Sequence, residues 1–122
     1  MRNIVILSFT AIVVSAVLVA GASARRSAMP TLIGTDGPGY TINLKFNNKA
    51  VKTLKAGTYK VVIHDKASFH GWSLDGPHGF AKDISPVPFV GTKTVTLKLK
   101  AGKYKFYCPN HESIMFGHFT VT

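Results

Sequence analysis

Lys93-Thr94-Val95-Thr96-Leu97-Lys98-Leu99-Lys100 is followed, after Ala101, by Gly102-Lys103-Tyr104-Lys105-Phe106-Tyr107-Cys108. In the first stretch Val95, Leu97 and Leu99 alternate with Thr and Lys. In the second, Tyr104, Phe106 and Cys108 hold the alternate places. A period of two sends successive side chains to opposite faces, so each stretch reads as a β-strand with one buried and one wet face. Moving outward, the same alternation sets Ile42, Leu44 and Phe46 on one face of 40–46, Tyr59, Val61 and Ile63 on one face of 57–65, and Phe119 and Val121 on one face of 117–122. Weaker strands fall near 31–36 and 70–75, and no helical stretch of useful length interrupts them. About seven strands in this length predict an all-β fold, a Greek-key β-sandwich.

A short echo supports two packed sheets. Leu54-Lys55-Ala56-Gly57-Thr58-Tyr59-Lys60 returns as Leu99-Lys100-Ala101-Gly102-Lys103-Tyr104-Lys105, which reads as two hairpins of one design. Residues 75–91, rich in Pro and Gly and without alternation, read as a long surface connection of the kind a Greek key needs.

The 122 residues divide unevenly. Ile4 to Ala24 carries no charge, follows Met1-Arg2-Asn3 and ends in Ala22-Ser23-Ala24, the layout of a signal peptide cleaved after Ala24. Residues 1–24 are therefore expected to direct export to the periplasm or the cell exterior. Residues 25–30 form a tether and 31–122 a single domain. An uncleaved membrane anchor is the alternative, because about 20 apolar residues span a bilayer. The full chain has 15 Lys and Arg against five Asp and Glu. Removing residues 1–24 takes away only Arg2 and leaves a formal charge of +9. Lysines dominate and are scattered, which suits attraction to an acidic redox partner or an anionic membrane surface. An exported chain without a base-reading motif points away from nucleic acid, and a monomer is expected.

A lone cysteine in an exported chain has no internal disulfide partner, so Cys108 calls for another role. Cys108-Pro109-Asn110-His111-Glu112-Ser113-Ile114-Met115 offers a thiolate, an imidazole and a thioether within eight residues. These soft donors favour copper over hard cations. His70, after Ser68-Phe69, can supply a second nitrogen from across the sandwich. The predicted metal ligands are His70, Cys108, His111 and, more weakly, Met115, around one copper ion. His64 and His118 fall on outward positions. His78 sits in a Gly-Pro-His-Gly turn that could approach the site. Trp72 is read as a packing residue beside His70, with shielding of the site as the alternative.

Asp65 to Leu74, Gly102 to Cys108 and Met115-Phe116-Gly117-His118-Phe119-Thr120-Val121 together resemble the cupredoxin family, in particular its small plastocyanin-like bacterial members. The similarity runs over roughly 31–122. It implies a type 1 copper site at one end of the sandwich and one-electron transfer. It also implies an apolar docking rim around His111, for which Phe116, Pro38, Pro88 and Phe89 are the candidates. Two features depart from the family pattern: Gly71 stands where Asn is common, which loses a side-chain tie between the ligand loops, and the loop from Cys108 to Met115 is short. No acid–base pair or open coordination position suggests an enzyme. The rival readings are a copper delivery or tolerance protein, an immunoglobulin-like interaction module without metal, and a cysteine hydrolase using Cys108 and His111.

Overall fold

A computed structural model describes residues 28–122; the predicted signal segment and half of the predicted tether, 25–27, lie outside the described residues. Ten strands form two five-stranded sheets. The first has the order β3 (Lys49–Ala50), β2 (Ile42–Phe46), β1 (Thr31–Asp36), β5 (Gly57–Asp65), β8 (Gly91–Leu99). The second has the order β4 (Thr53–Leu54), β10 (Phe116–Val121), β9 (Gly102–Tyr107), β6 (Trp72–Asp75), β7 (Ala81–Ser85). Among the described residues no helix is long and apolar enough to cross a membrane.

The expected β-sandwich is present, with ten strands instead of about seven. Two of the extra strands, β3 and β4, are two residues long. The third is β7, inside the segment expected to be a surface connection. Only its last two residues, Ile84 and Ser85, are buried. This edge strand pairs with β6 across a register shift between Trp72 and Ser73, so it shows no period of two. The strand expected at 70–75 starts at Trp72, which leaves His70 in the loop before it.

The echoed heptads are not hairpins. Leu54 lies in the second sheet and Gly57 opens β5 in the first, whereas Leu99 ends β8 in the first and Gly102 opens β9 in the second. Both heptads are corners that carry the chain between sheets. In each, the tyrosine hydroxyl donates to the carbonyl four residues back: Tyr59 to Lys55 at 2.6 Å and Tyr104 to Lys100 at 2.8 Å. Such tyrosine corners fix the entry of a strand into a sandwich.

The alternating inner residues meet between the sheets. Leu32, Leu44, Val61, Ile63, Leu97 and Leu99 come from the first, and Trp72, Leu74, Tyr104, Phe106, Phe119 and Val121 from the second. Each large side chain withdrawn from water contributes about 1.5–3 kcal/mol, so the core owes nothing to a metal. Trp72 is fully buried, stacks on Phe106 at 5.5 Å between centroids and donates its indole N–H to the Asn43 carbonyl at 3.2 Å. It packs the core, as the simpler of its two readings expected. β5 and β9 run from the two corners to the opposite end of the sandwich, where the chemistry is gathered.

Candidate metal centre

Cys108 follows β9 and is fully buried. The loop after it is closed by the chain's own amides. The His111 N–H donates to the Cys108 carbonyl at 3.1 Å, the Met115 N–H to the His111 carbonyl at 2.8 Å, and the Cys108 N–H to the Met115 carbonyl at 3.0 Å. This ring of bonds returns His111 to the thiol and buries Met115 beneath the loop, 1% exposed. The short loop is thus a compact double turn, and its eight residues suffice.

His70 arrives from the other sheet connection. The loop between β5 and β6 turns where the His70 N–H donates to the Ala67 carbonyl at 3.1 Å. Its Nε2 lies 2.9 Å from the Gly39 carbonyl. A carbonyl only accepts, so Nε2 carries the proton and Nδ1 presents a lone pair inward. A hydrogen bond on the outer nitrogen is how metal-binding imidazoles are oriented. His70 is fully buried, and His111 is partly exposed.

Three donor atoms converge. His70 Nδ1 is 3.2 Å from His111 Nδ1, and Cys108 Sγ is 3.8 Å from the first and 3.6 Å from the second. The point equidistant from all three lies about 2.1 Å from each, close to the ~2.0–2.1 Å of a first-row metal–imidazole bond and a little under the ~2.3 Å of a metal–thiolate bond. The triangle has the dimensions of a three-coordinate metal site, and two imidazoles with one thiolate form the trigonal set that suits copper.

The remaining histidines stand outside this cluster, which among the described residues is His70, Cys108 and His111. His64 bonds the Thr92 hydroxyl at 3.1 Å, and His118 is exposed beside Phe116. His78 lies next to Pro77, which packs against Gly102 at the corner end, so its turn is remote from the cluster.

Several contributors were not legible beforehand. The tie expected to be lost at Gly71 is replaced from the other loop: Asn110 Nδ2 donates to the Phe69 carbonyl at 3.1 Å. Gly71 itself is required, because a Cβ there would lie 2.8 Å from the Ser85 carbonyl oxygen. The rings that the structure sets against the histidines are Tyr40 and Phe69, which the expected rim did not include. Tyr40 meets His111 edge-on at 5.0 Å, and Phe69 lies 4.3 Å from His70, both measured between ring centroids. Phe89 instead packs under the Lys93 ammonium, 4.3 Å from its ring, and Phe116 lies beside Lys105 and His118. The only sequence signal for the new members is the turn-forming Gly37-Pro38-Gly39-Tyr40.

No protein-family model matches the chain, and no curated protein matches it in sequence. Solved structures do share its architecture. A structure of the copper protein rusticyanin superposes with a TM-score of 0.57 at 18% identity, covering 80% of each chain. Reduced rusticyanin gives 0.55 at 22%, covering 80% of this chain and 81% of that one. Rusticyanin from Thiobacillus ferrooxidans gives 0.52 at 20%, covering 80% and 79%. The sandwich is therefore a cupredoxin fold. The cluster at its end, on its own geometry and donor chemistry, fits one type 1 copper ion.

Proposed function

We propose that the protein is an exported electron carrier that holds one copper ion through His70, Cys108 and His111, with Met115 as a weak axial ligand. The observation that carries this reading is the triangle of two Nδ1 atoms and one Sγ, with edges of 3.2–3.8 Å. Copper bound there would alternate between Cu(I) and Cu(II) and so supply one electron at a time. The chain contributes rigidity: the Gly39 carbonyl fixes the His70 ring, the amide ring of 108–115 fixes Cys108 and His111, and Asn110 ties the two loops. A donor set that hardly rearranges suits both oxidation states. The partly exposed His111, with Tyr40 61% and Phe69 48% exposed beside it, offers the route to a partner. Copper delivery without electron transfer is the alternative, and reversible voltammetry separates the two.

The Cu(II)-loaded protein should show an intense thiolate-to-copper band in the visible. Cys108→Ala should abolish it completely while far-UV circular dichroism stays that of a folded β-sandwich. A folded substituted protein that kept the band would remove Cys108 from the site.

The lysines are proposed to draw the protein toward an acidic redox partner or an anionic membrane surface. Lys60, Lys98, Lys100, Lys103 and Lys105 lie at outward-facing or strand-end positions, most of them nearer the corners than the metal centre. Steering of this kind raises association rates by ~10–1,000-fold at low salt and fades as the Debye length shrinks from ~30 Å at 0.01 M to ~8 Å at 0.15 M. Stopped-flow oxidation by a negatively charged acceptor should slow steeply across that range, and a flat profile would leave the lysines a role in solubility only.

A further inference from the structure

Of the five carboxyl groups in the sequence, two are buried and adjacent. Asp36 ends β1 and Asp65 ends β5, and the two are register partners on neighbouring parallel strands. They are 0% and 2% exposed. Their partners differ. Asp65 accepts the Ser85 hydroxyl on one oxygen and the Ala67 N–H, at 3.2 Å, on the other. Asp36 has no donor on either oxygen. No lysine or arginine reaches either group, since the ion pair among the described residues is Lys105 with Glu112. A carboxylate in the interior without a donor or a cation is too costly to persist, and two side by side add repulsion. A proton on Asp36 removes both penalties and makes it a donor to Asp65.

We propose that Asp36 and Asp65 form a buried proton-binding site, in which one proton is shared between the two carboxyl groups until the pH reaches neutrality, with a single negative charge resting on Asp65. Burial, and then the hydrogen bond and charge of Asp65, push the Asp36 carboxyl up to about 7. The Lys66 N–H, which donates to the Asp36 main-chain carbonyl at 3.0 Å, opposes this least strongly of the four influences. The other ionisable neighbours are few. His70 lies beside Gly37, the Lys66 ammonium is on the exposed side, and His64 is on the opposite face of β5. The pair lies directly beneath the Gly37–Gly39 loop whose carbonyl holds His70, so its proton keeps a second negative charge away from that loop.

The site makes folding a proton-uptake reaction. In the unfolded chain an aspartate ionises near ~3.9, whereas folded Asp36 keeps its proton to about 7. Between these values the folded state binds one more proton, so stability falls as pH rises, and it levels off above 7. The unfolding constant should rise roughly tenfold per pH unit within the window. Asp36→Asn supplies a permanent donor to Asp65 without an ionising group. The test is equilibrium unfolding of the full chain from pH 4 to 8, with and without Cu(II), for the wild type and Asp36→Asn. The ratio of their unfolding constants should climb by at least tenfold toward pH 7 in both arms, so a failure of copper binding leaves the metal-free arm decisive. In parallel, the wild-type Asp36 ¹³Cγ resonance should keep its protonated position until near pH 7, a readout that needs no variant to fold. A ratio independent of pH, or an Asp36 resonance that titrates below pH 5, would overturn the proposal.

Discussion

The two corners Leu54–Lys60 and Leu99–Lys105 differ in sequence at one position, Thr58 against Lys103, yet they are not the same structure. Both make the tyrosine bond to the carbonyl four residues back. They cross the sandwich in opposite senses, however, and their glycines live in different surroundings. Gly57 has ordinary backbone angles and open space where a side chain would stand. Gly102 has a φ of +146°, and a Cβ there would lie 2.6 Å from the Pro77 ring. Local sequence alike at all but one position therefore fixes the local hydrogen bond but not the conformation of the glycine or the sheet entered next. Those follow from what packs against each corner: at the second, the Pro77–Gly79 turn closes over β9.

The largest test of this difference is a pair of alanines. Gly102→Ala forces a side chain into a left-handed conformation, at about 1–3 kcal/mol, and drives it into Pro77, at about another 1–3 kcal/mol. Gly57→Ala meets neither obstacle and should be neutral or stabilising by up to ~1 kcal/mol, because alanine restricts the unfolded chain. Urea unfolding of both proteins should therefore separate them by several kcal/mol. Equal midpoints would mean that the second corner is no more constrained than the first. Since Cys108 directly follows β9, Gly102→Ala should also weaken retention of Cu(II), whereas Gly57→Ala should not.

The corners also show where sequence reading succeeded and where it stopped. Alternation located the inner residues of β2, β5, β8, β9 and β10, because a strand with one buried face records that face in every second residue. It could not find β7, an edge strand whose buried residues are neighbours, and it could not tell a corner from a hairpin, because both begin with the same turn. At the metal end, Cys108, His111 and Met115 were legible as one loop, and His70 through its resemblance to a known pattern. The Gly39 carbonyl, Tyr40 and the Asn110 bond to Phe69 were not, since each acts across 31 to 71 residues of intervening chain. Asp36 and Asp65 were passed over among few, scattered acids. Only strand register, 29 residues apart, makes them a pair.

A smaller effect distinguishes the tyrosines themselves. Tyr59→Phe and Tyr104→Phe each remove one hydroxyl donated to a backbone carbonyl, and each should lower stability by about 1 kcal/mol, the usual net worth of such a bond. The carbonyls belong to Lys55 and Lys100, both exposed, so water can replace the lost donor and keep the loss from growing. The surroundings differ: Tyr104 stacks on Phe119 at 5.1 Å and meets Phe80 edge-on at 5.8 Å, and burial raises its phenol above the ordinary value. Phenylalanine keeps those ring contacts, so the two substitutions should cost nearly the same although the second tyrosine is more tightly enclosed. Alkaline difference absorbance of the wild type should then contain two tyrosines titrating above the ordinary value, Tyr104 and Tyr107, of which one disappears in Tyr104→Phe and both persist in Tyr59→Phe. If Tyr104→Phe cost about 3 kcal/mol while Tyr59→Phe cost about 1, the hydroxyl at the second corner would be holding more than its local bond, and the two corners would differ in their hydrogen bonding as well as in their glycines.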